Sequence, residues 1–351
     1  MECSWKTLSV KKSFKICIAQ LCFAAILFTL YNNVSHSAII DADEYVVTTQ
    51  EPTEHTRIIL LWTWPLGRKF PLNECPSYLN ITGCFYTANR TLFSSADAVV
   101  IHHRTIFHSE KYLPHMPRPQ YQYWVWFNKE SPSNSPNLHF MDNLINLTMS
   151  YRADSDIFSP YGWLEENKED ENFTIPPKTK LVAWAVSNWN PNSRRVHYYE
   201  QLKNFLSIDI YGRHHKPLPR NEHQQTLSKY KFYLAFENSI YEDYITEKLW
   251  FNAFTFGIVP VVMGPSRENY ERFIPKDSFI HVDDFSTAQE LATYILKLDS
   301  DDKAYQQYFH WRSRLHPVLG TSWEISYCRI CKAIKEAPKH KTISRLGAWY
   351  T

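Results

Sequence analysis

Residues 231–263, KFYLAFENSIYEDYITEKLWFNAFTFGIVPVVM, decide the fold class of this chain. The apolar runs at 232–236 and 258–263 have the length and composition of buried strands, and residues 245–256 between them have the length of a helix. A helix that joins two continuous apolar strands predicts a parallel sheet whose two faces are both covered.

The same alternation extends on both sides of this stretch. Further strands are predicted at 58–64, 98–102, 124–127, 181–186, 208–211 and 279–282, and further helices at 193–206 and 288–298. An acidic, proline-containing break at 165–180 separates two such groups. We therefore predict an α/β fold of two Rossmann-like lobes with a central cleft. The first lobe is expected at 57–164, the second at 165–320, and a C-terminal segment at 321–351 packs back on the first lobe.

The N-terminal part of the chain has the pattern of a membrane anchor. Residues 16–31 are almost continuously apolar and four lysines precede or adjoin them, whereas no further Lys or Arg occurs before Arg57. This asymmetry predicts a single-pass type II membrane protein with a cytosolic tail at 1–15, a signal-anchor, and a stem at 32–56. A cleaved signal peptide, with small residues around 35–37, is the alternative.

The overall charge argues against nucleic-acid binding. The 351 residues contain 38 Lys and Arg against 36 Asp and Glu, which leaves a net charge of +2. No strongly basic field is therefore available for a phosphate backbone. The eight glycines lie far apart, which excludes both glycine-rich phosphate loops.

Sequons and cysteines agree with entry into the secretory pathway. Asn-x-Ser/Thr sequons occur at Asn33, Asn80, Asn89, Asn146 and Asn172, and we predict N-glycosylation at the last four. The cysteines outside the tail and the anchor are Cys75, Cys84, Cys328 and Cys331. Their even number predicts two disulfides with three possible pairings. A four-thiolate zinc site is the alternative, because the last two cysteines have ligand spacing.

Two strand-to-helix junctions of the second lobe carry polar side chains. One junction contains Asn238, Glu247 and Lys248, and the other contains Ser187, Asn188 and Arg195. Helix N-termini beside strand ends attract phosphate groups without a metal. A cation at each junction predicts a diphosphate ligand, whereas two solvated helix starts are the alternative.

Candidate general bases lie at strand ends of the first lobe. Glu130 follows one predicted strand and the pair His102-His103 ends another, and the residues alone do not choose between them. Asp154 and Asp156 have the spacing that binds Mn²⁺ or Mg²⁺ in many sugar transferases, which gives a metal-dependent enzyme as an alternative. A non-catalytic, membrane-anchored lectin is a further alternative, since 16% of the residues are aromatic.

Several motifs resemble those of the animal Golgi α1,3-fucosyltransferases. They are KFYLAFENS at 231–239, DYITEKL at 243–249, VPVVMGPSRENY at 259–270, HHR at 102–104, ESP at 130–132, DSDI at 154–157, PYG at 160–162 and the C-terminal Cys328-x-x-Cys331. The resemblance spans nearly all of 57–351. It implies a two-lobed, metal-independent, inverting enzyme without a cofactor. Such an enzyme transfers L-fucose from GDP-β-L-fucose to O3 of GlcNAc in Galβ1,4GlcNAc, making Lewis x or sialyl Lewis x.

The resemblance also implies a setting for this activity. Its acceptors are lactosamine chains of glycoproteins and glycolipids, and nucleic acid is not a partner. The catalytic part lies in the lumen, the protein is held in the Golgi membrane, and a homodimer is possible.

The resemblance assigns roles to individual residues at matching motif positions. Glu130 is the general base, and Arg195 and Lys248 stabilise the departing diphosphate. The donor site is lined by Ser187, Asn188, Tyr233, Asn238, Tyr244 and Glu247, with Tyr161 near the fucose. The disulfides implied are Cys75 with Cys328 and Cys84 with Cys331.

Two positions depart from the family pattern. Arg68 stands where members that make Lewis x often carry Gln, in the acceptor region. A cation there leads to the hypothesis that Arg68 favours a sialylated acceptor. Ala153 stands where the family commonly has a second Arg, and the sequence offers no interpretation of this difference.

Overall fold

The computed structural model describes residues 56–75, 79–168, 173–320, 323–338 and 341–351. The expected tail, the signal-anchor, all but the last residue of the stem, and the sequons at Asn33 and Asn172 lie outside these residues. Within the described ranges, no helix is both long and apolar enough to cross a membrane.

The first sheet has six parallel strands in the order β2-β1-β3-β4-β5-β6. They are β1 (Arg57–Leu61), β2 (Cys84–Thr87), β3 (Ala98–His102), β4 (Tyr123–Asn128), β5 (Leu147–Ser150) and β6 (Ile157–Phe158). Val99 and Val125 of the central strands are fully buried. Continuous apolar strands form such a sheet because both of its faces are covered.

The second sheet has five parallel strands in the order β12-β11-β10-β8-β9. They are β8 (Lys180–Ala185), β9 (Ile208–Tyr211), β10 (Tyr230–Phe236), β11 (Val259–Met263) and β12 (Ile280–His281). A separate antiparallel pair is formed by β7 (Gly162–Glu166) and β13 (Leu315–Leu319). The predicted α/β class with parallel sheets is confirmed, and the expected lobe boundary between residues 164 and 165 falls inside β7.

Helices cover the sheets and connect their strands. They are α1 (His103–Ile106), α2 (Arg194–Leu202), α3 (His223–Leu227), a π-helix (Lys248–Thr255), α4 (Arg267–Glu271), α5 (Ala288–Ser300), α6 (Asp302–Gln307), α7 (Trp323–Glu336) and α8 (Leu346–Tyr350). The expectation of an ordinary helix at 245–256 was wrong in type and start. The amide of Thr246 donates to the Glu237 carboxylate at 2.8 Å, which holds the chain in a turn before the π-helix begins.

The C-terminal helices belong to the core of the first sheet. Tyr327 and Ile330 of α7 pack on one face, and Leu346 and Tyr350 of α8 pack on the other. Two disulfides join α7 to the N-terminal edge of the sheet, Cys75–Cys328 and Cys84–Cys331, with Cα–Cα distances of 5.7 and 6.0 Å. The implied pairings are confirmed, and all four thiols are consumed, so the zinc alternative was wrong.

Three strands of the first sheet were missed in the sequence: β2, β5 and β6. In β5, apolar Leu147 and Met149 alternate with Thr148 and Ser150, although all four residues are buried. The polar side chains are satisfied locally, since the Asp156 carboxylate accepts from the Thr148 hydroxyl at 3.0 Å. Because the polar partners lie in the turn after β5, polar residues can occupy buried positions in this strand. The strand therefore has no continuous apolar run that would have predicted it.

Candidate active site

The chain turns sharply where it leaves β8. The amide of Val186 donates to the Tyr211 carbonyl at 2.8 Å, which brings the end of β9 against this turn. Gly212 there has φ +134°, and a Cβ on it would lie 2.0 Å from the Val186 carbonyl oxygen. Only glycine permits this approach. The turn leaves Ser187 and Asn188 exposed ahead of α2.

Arg195 lies in the first turn of α2 and is 5% exposed. Its guanidinium donates to the carbonyl oxygens of Asn188 and, at 3.4 Å, of Phe236. Its Nε finds no partner among the described residues, and no described carboxylate is ion-paired with it. Burial lowers the pKa of Arg195, although the carboxylate of Glu237 opposes the shift. A buried guanidinium in this state is suited to an incoming anion.

Lys248 occupies the other junction, between the end of β10 and the π-helix. Its Nζ lies 2.9 Å from Glu237 Oε2 and 3.2 Å from Glu247 Oε1, and it donates to the Thr246 hydroxyl at 2.7 Å. Burial disfavours its charge, but the two carboxylates outweigh burial and raise the pKa of Lys248 above its ordinary value. Its charge is therefore already balanced within the protein.

The two carboxylates around Lys248 differ in their environments. Glu237 is 3% exposed, and burial raises its pKa despite the nearby ammonium group. Glu247 reaches the surface with nearly half of its side chain, and Lys248 holds its pKa below the ordinary value although burial opposes this. Asn238, next to Glu237, has a buried side-chain oxygen that accepts no hydrogen bond from any described group. Glu247 and Asn238 therefore retain hydrogen-bonding capacity for a ligand.

Three tyrosines predicted in the donor site lie at different depths. Tyr244 is 2% exposed, and its ring meets that of Tyr161 at a centroid distance of 6.4 Å. Tyr233 is fully buried, and its hydroxyl bonds Asn252 at 2.9 Å and the Ala185 carbonyl at 3.4 Å. Its ring packs in the core beneath the second sheet. Tyr233 thus packs beneath the two strand-to-helix junctions and stabilises them.

Glu130 follows β4 and is half-buried. Its amide bonds the Asn128 side chain at 3.2 Å, and its carbonyl oxygen accepts from the Tyr350 hydroxyl. In the part of the chain that the structure covers, nothing donates to its carboxylate. Burial is the main cause of the raised pKa of Tyr244, and the charges of Glu237, Glu130 and Glu247 add to it. Carboxylates of both lobes therefore act on the same phenol.

Direct hydrogen bonds join the lobes beside Glu130. The Ser131 hydroxyl lies 3.0 Å from the hydroxyl of Ser239, and that of Ser133 lies 2.8 Å from it. Asp243, which adopts a left-handed φ of 61°, accepts from the Ala153 amide at 2.9 Å. The serine contacts bring the loop after β4 to the loop after β10, and the Asp243 contact brings the loop after β5 to it as well.

The histidine candidates are placed differently from Glu130. His102 and His103 are 3% and 1% exposed. Burial lowers the pKa of His102 to about 3 and that of His103 to about 4. His102 Nδ1 bonds the Thr105 hydroxyl and His103 Nε2 bonds the Pro136 carbonyl, at 2.8 and 3.0 Å. Both rings stabilise the turn after β3.

The paired aspartates have partners of their own. The Asp154 carboxylate forms a two-point ion pair with Arg152, with both distances 2.8 Å. Asp156 accepts from the amide and the hydroxyl of Thr148 at 2.9 and 3.0 Å and is paired with Lys341. No group of three or more potential metal ligands occurs among the described residues.

No described hydrogen bond joins the remaining predicted residues to the two junctions. Arg68 is exposed beside Leu66 and Gly67, both of which have positive φ. Asn80 and Asn89 are exposed, whereas the Asn146 side chain donates to Lys341 and accepts from the Trp124 amide at 2.7 and 2.6 Å. Glycosylation of these asparagines stays a prediction.

Comparisons with known proteins agree on one family. A model described as Glycosyltransferase family 10 (fucosyltransferase) C-term matches residues 175–349, and one described as Fucosyltransferase, N-terminal matches 54–162. The chain belongs to the family 10 fucosyltransferases. The resemblance to the animal α1,3-fucosyltransferases and the expected enzyme class are confirmed.

Relatives of high identity support this assignment. The 4-galactosyl-N-acetylglucosaminide 3-alpha-L-fucosyltransferase FUT6 of Pongo pygmaeus is 47% identical over 350 residues, 97% of each chain. The 3-galactosyl-N-acetylglucosaminide 4-alpha-L-fucosyltransferase FUT3 of Homo sapiens is 50% identical over 305 residues, 86% of this chain and 84% of that protein. A crystal structure of an α1,3-fucosyltransferase with GDP-fucose aligns with a TM-score of 0.50 and 17% identity, over 86% of this chain and 97% of that one, and shows the shared fold.

The sequence analysis of this fucosyltransferase missed several residues of the site. Glu237 is the buried counter-charge of Lys248, Lys129 is a buried lysine directly before Glu130, and the Tyr350 hydroxyl donates to the Glu130 carbonyl. Glu237 lies inside the motif at 231–239, so its acidic side chain directly after a buried strand was an available signal. Tyr350 is 220 residues from Glu130, and no local pattern connects the two.

Proposed function

We propose that this fucosyltransferase transfers L-fucose from GDP-β-L-fucose to O3 of GlcNAc in N-acetyllactosamine or sialyl N-acetyllactosamine glycans. The proposed reaction inverts the anomeric centre and needs no metal. The donor is supported by two solved α1,3-fucosyltransferase structures that share the fold, one with GDP-fucose and one with GDP. Most of the relatives' names specify 3-alpha transfer to a galactosylated N-acetylglucosaminide.

One observation carries the mechanism. Arg195 is a buried cation without a described carboxylate partner, and Glu130 is a carboxylate without a described hydrogen-bond donor. The charge of Glu130 contributes to the raised pKa of Tyr244, and Tyr244 opposes the lowering of the pKa of Arg195, which supports the proposal that the two groups serve one site. A diphosphate and an acceptor hydroxyl are the groups that such a pair can serve.

In the proposed reaction, Glu130 takes the proton of the acceptor hydroxyl as that oxygen bonds to C1 of fucose. The bond from C1 to the diphosphate oxygen breaks on the opposite face, which inverts the configuration from β to α. Arg195 and the amides at the start of α2 stabilise the charge that develops on the leaving diphosphate. Because these groups are fixed by the fold, little reorganisation accompanies the reaction.

The alternatives receive less support. A metal-dependent mechanism requires Asp154 and Asp156 to be available, but Arg152 and Lys341 occupy them. A lectin has no use for a buried cation at each of two strand-to-helix junctions. We therefore favour a catalytic site of the two-lobed type in which donor and acceptor meet in a cleft.

The experiment is a transfer assay with the full chain in detergent. The donor is GDP-fucose, the acceptor is neutral or sialylated lactosamine, and each reaction is run with and without EDTA. We expect an α1,3-linked product, identified by NMR, at the same rate in EDTA. Glu130→Gln should lower kcat by about 10³-fold, the scale of general-base catalysis, while Kd for GDP changes less than about twofold. Glu110→Gln, at an exposed carboxylate of the same lobe, is the control. Loss of activity in EDTA, or full activity of Glu130→Gln, contradicts the proposal.

Acceptor preference is tested at Arg68. Its exposed guanidinium is proposed to attract the carboxylate of sialic acid, so Arg68→Gln should lower the rate on sialylated relative to neutral lactosamine. An exposed ion pair contributes up to about 1 kcal/mol, which corresponds to a change in the ratio of up to about fivefold. An unchanged ratio removes Arg68 from the acceptor site.

The proposed location is the Golgi membrane, with a type II orientation and a lumenal catalytic part. It is supported by the apolar run at 16–31, the lysines before it and the sequons after it. Co-localisation of the tagged chain with a Golgi marker, and protease protection of its C-terminal tag in sealed vesicles, are the expected results. Retention of the tag on the cytosolic side contradicts the orientation.

A further inference from the structure

Lys129 is a buried lysine directly before Glu130. It is 7% exposed, and its Nζ donates to the carbonyl oxygens of Pro160 at 3.0 Å and Gly320 at 2.7 Å. The same Nζ lies 4.8 Å from the centre of the Tyr161 ring. No described carboxylate forms an ion pair with it. A lysine is seldom buried this way unless its charge has a role, because desolvation of an ammonium group is costly.

The groups that Lys129 contacts all surround Tyr161. The Tyr161 hydroxyl donates to the Lys129 carbonyl at 2.5 Å, and the Gly320 amide donates to the Tyr161 carbonyl at 2.8 Å. Side chain and backbone of Lys129 thus hold one residue from two sides. A Cβ on Gly320 would lie 2.2 Å from the Pro160 carbonyl oxygen, so the two carbonyls are held close together only because residue 320 is glycine.

This cluster is continuous with the donor side of the site. Gly162, which follows Tyr161, lies against the side chain of Trp250 in the π-helix, where a Cβ would approach to 2.5 Å. The π-helix begins at Lys248. A displacement of the segment 160–162 therefore changes the position of Glu130 relative to the π-helix.

We propose that Lys129 is a positioning residue whose ammonium group fixes Glu130 relative to Tyr161 and to the donor side of the site. The inference rests on the proposed role of Glu130 as general base. Charge-assisted hydrogen bonds are roughly twice as strong as neutral ones. The ammonium form therefore holds the Pro160 and Gly320 carbonyls more firmly than the neutral amine does.

The charged groups around Lys129 make its protonation sensitive to pH. Burial, reinforced by the charge of Arg329 in α7 and opposed by that of Glu247 before the π-helix, lowers the pKa of Lys129 to about 7. The ammonium form is present below this pKa and is lost as the pH rises through it. Positioning should therefore weaken on the alkaline side of neutral pH.

The test compares Lys129→Met and Lys129→Arg with wild type, using kcat/KM for GDP-fucose from about pH 5.5 to 9. We expect wild type to lose activity above about pH 7. Lys129→Met should lower kcat about tenfold at pH 6, whereas KM for the donor and Kd for GDP should change less than about twofold. The wild-type loss of activity above about pH 7, the alkaline limb of the pH profile, should be absent from this variant. Lys129→Arg should keep its positive charge over the whole range, so the loss of activity should occur only above pH 9. The exposed Lys111→Met is the control.

Several results would overturn the inference. One is an alkaline limb that persists in Lys129→Met, and another is a loss confined to KM. If Lys129→Arg does not fold, Lys129→Gln is used in its place. The amide of Gln can donate a hydrogen bond but carries no charge, so the pH profile of this variant should have no alkaline limb. Full activity of Glu130→Gln defeats the proposed function itself. Inactive Glu130→Gln together with fully active Lys129→Met defeats this inference alone.

Discussion

Arg195 and Lys248 are the cations of the two strand-to-helix junctions, and they differ in how their charges are balanced. Lys248 is bound by the carboxylates of Glu237 and Glu247, whereas Arg195 bonds only backbone carbonyls among the described residues. In the sequence the two look equivalent, as one cation at each predicted helix start.

The difference indicates that the two cations have separate roles at the proposed donor site. A diphosphate that approaches Arg195 meets a full positive charge already held in place, so its binding gains electrostatic free energy directly. A diphosphate that approaches Lys248 competes with Glu237 for the same ammonium group. We therefore expect Arg195 to act mainly on the ligand, and Lys248 to act on the conformation of the loop at 237–247 as well.

The largest expected effect separates the two cations through the donor. Arg195→Ala should lower kcat/KM for GDP-fucose by about 10³-fold, the scale of losing one fixed donor to a developing charge. The melting temperature should fall only by a few degrees, because no buried carboxylate is left unpaired. Arg194→Ala, beside it and paired with Asp283 on the surface, is the matched control. Equal losses of kcat/KM in both variants would mean that the effect comes from any change at the start of α2, and not from the loss of Arg195 itself.

The next effect is on stability and sharpens the role of Lys248. Lys248→Ala leaves Glu237 buried without its partner, so the free energy of unfolding should fall by about 3–5 kcal/mol. Denaturant unfolding measures this loss. The double variant Lys248→Ala with Glu237→Gln should recover most of the stability without recovering the use of GDP-fucose. Recovery of both properties would assign Lys248 to the fold alone.

The smallest effect concerns pH and the outer carboxylate. Lys248 holds the pKa of Glu247 below its ordinary value, so the ionised form of Glu247 stabilises the fold above its unfolded pKa. This contribution is lost as the pH falls through the folded pKa. The melting temperatures of wild type and Glu247→Gln should therefore differ at pH 7, and the difference should shrink as the pH falls below the ordinary titration range of a glutamate. A constant difference over this range contradicts the pairing.

Continuous apolar runs were the most reliable signal in the sequence. Strand β3 has the bounds expected from its run, because every residue of that strand is buried. Strand β9 also has the expected bounds, although it lies at the edge of its sheet and residues 208–210 are only partly buried. The sequence did not show whether the helix after Ile245 is an α-helix or a π-helix, since either type can have an apolar face. The break near 165 hid β7, whose partner β13 is about 150 residues away.

The candidate site was predictable where a motif carried it and unpredictable where tertiary contacts made it. Glu130, Arg195 and Lys248 follow strands or open helices, so their positions could be predicted from local pattern and resemblance. The burial of Lys129 depends on contacts with residues 160 and 320, and the pairing of Lys248 with Glu237 depends on the conformation of the loop between β10 and the π-helix. Sequence spacing contains no information on those distances.

The disulfides from α7 to the edge of the first sheet have a consequence for biosynthesis. Cys75 and Cys328 are 253 residues apart, which corresponds to roughly 10 to 50 s of translation at 5–20 residues per second. The strands that leave the ribosome first therefore wait for the last helices before their apolar faces are covered. During that interval Cys75 and Cys84 are both without their native partners, and at the proposed lumenal location we expect chaperones and oxidoreductases to decide how much of the chain matures correctly.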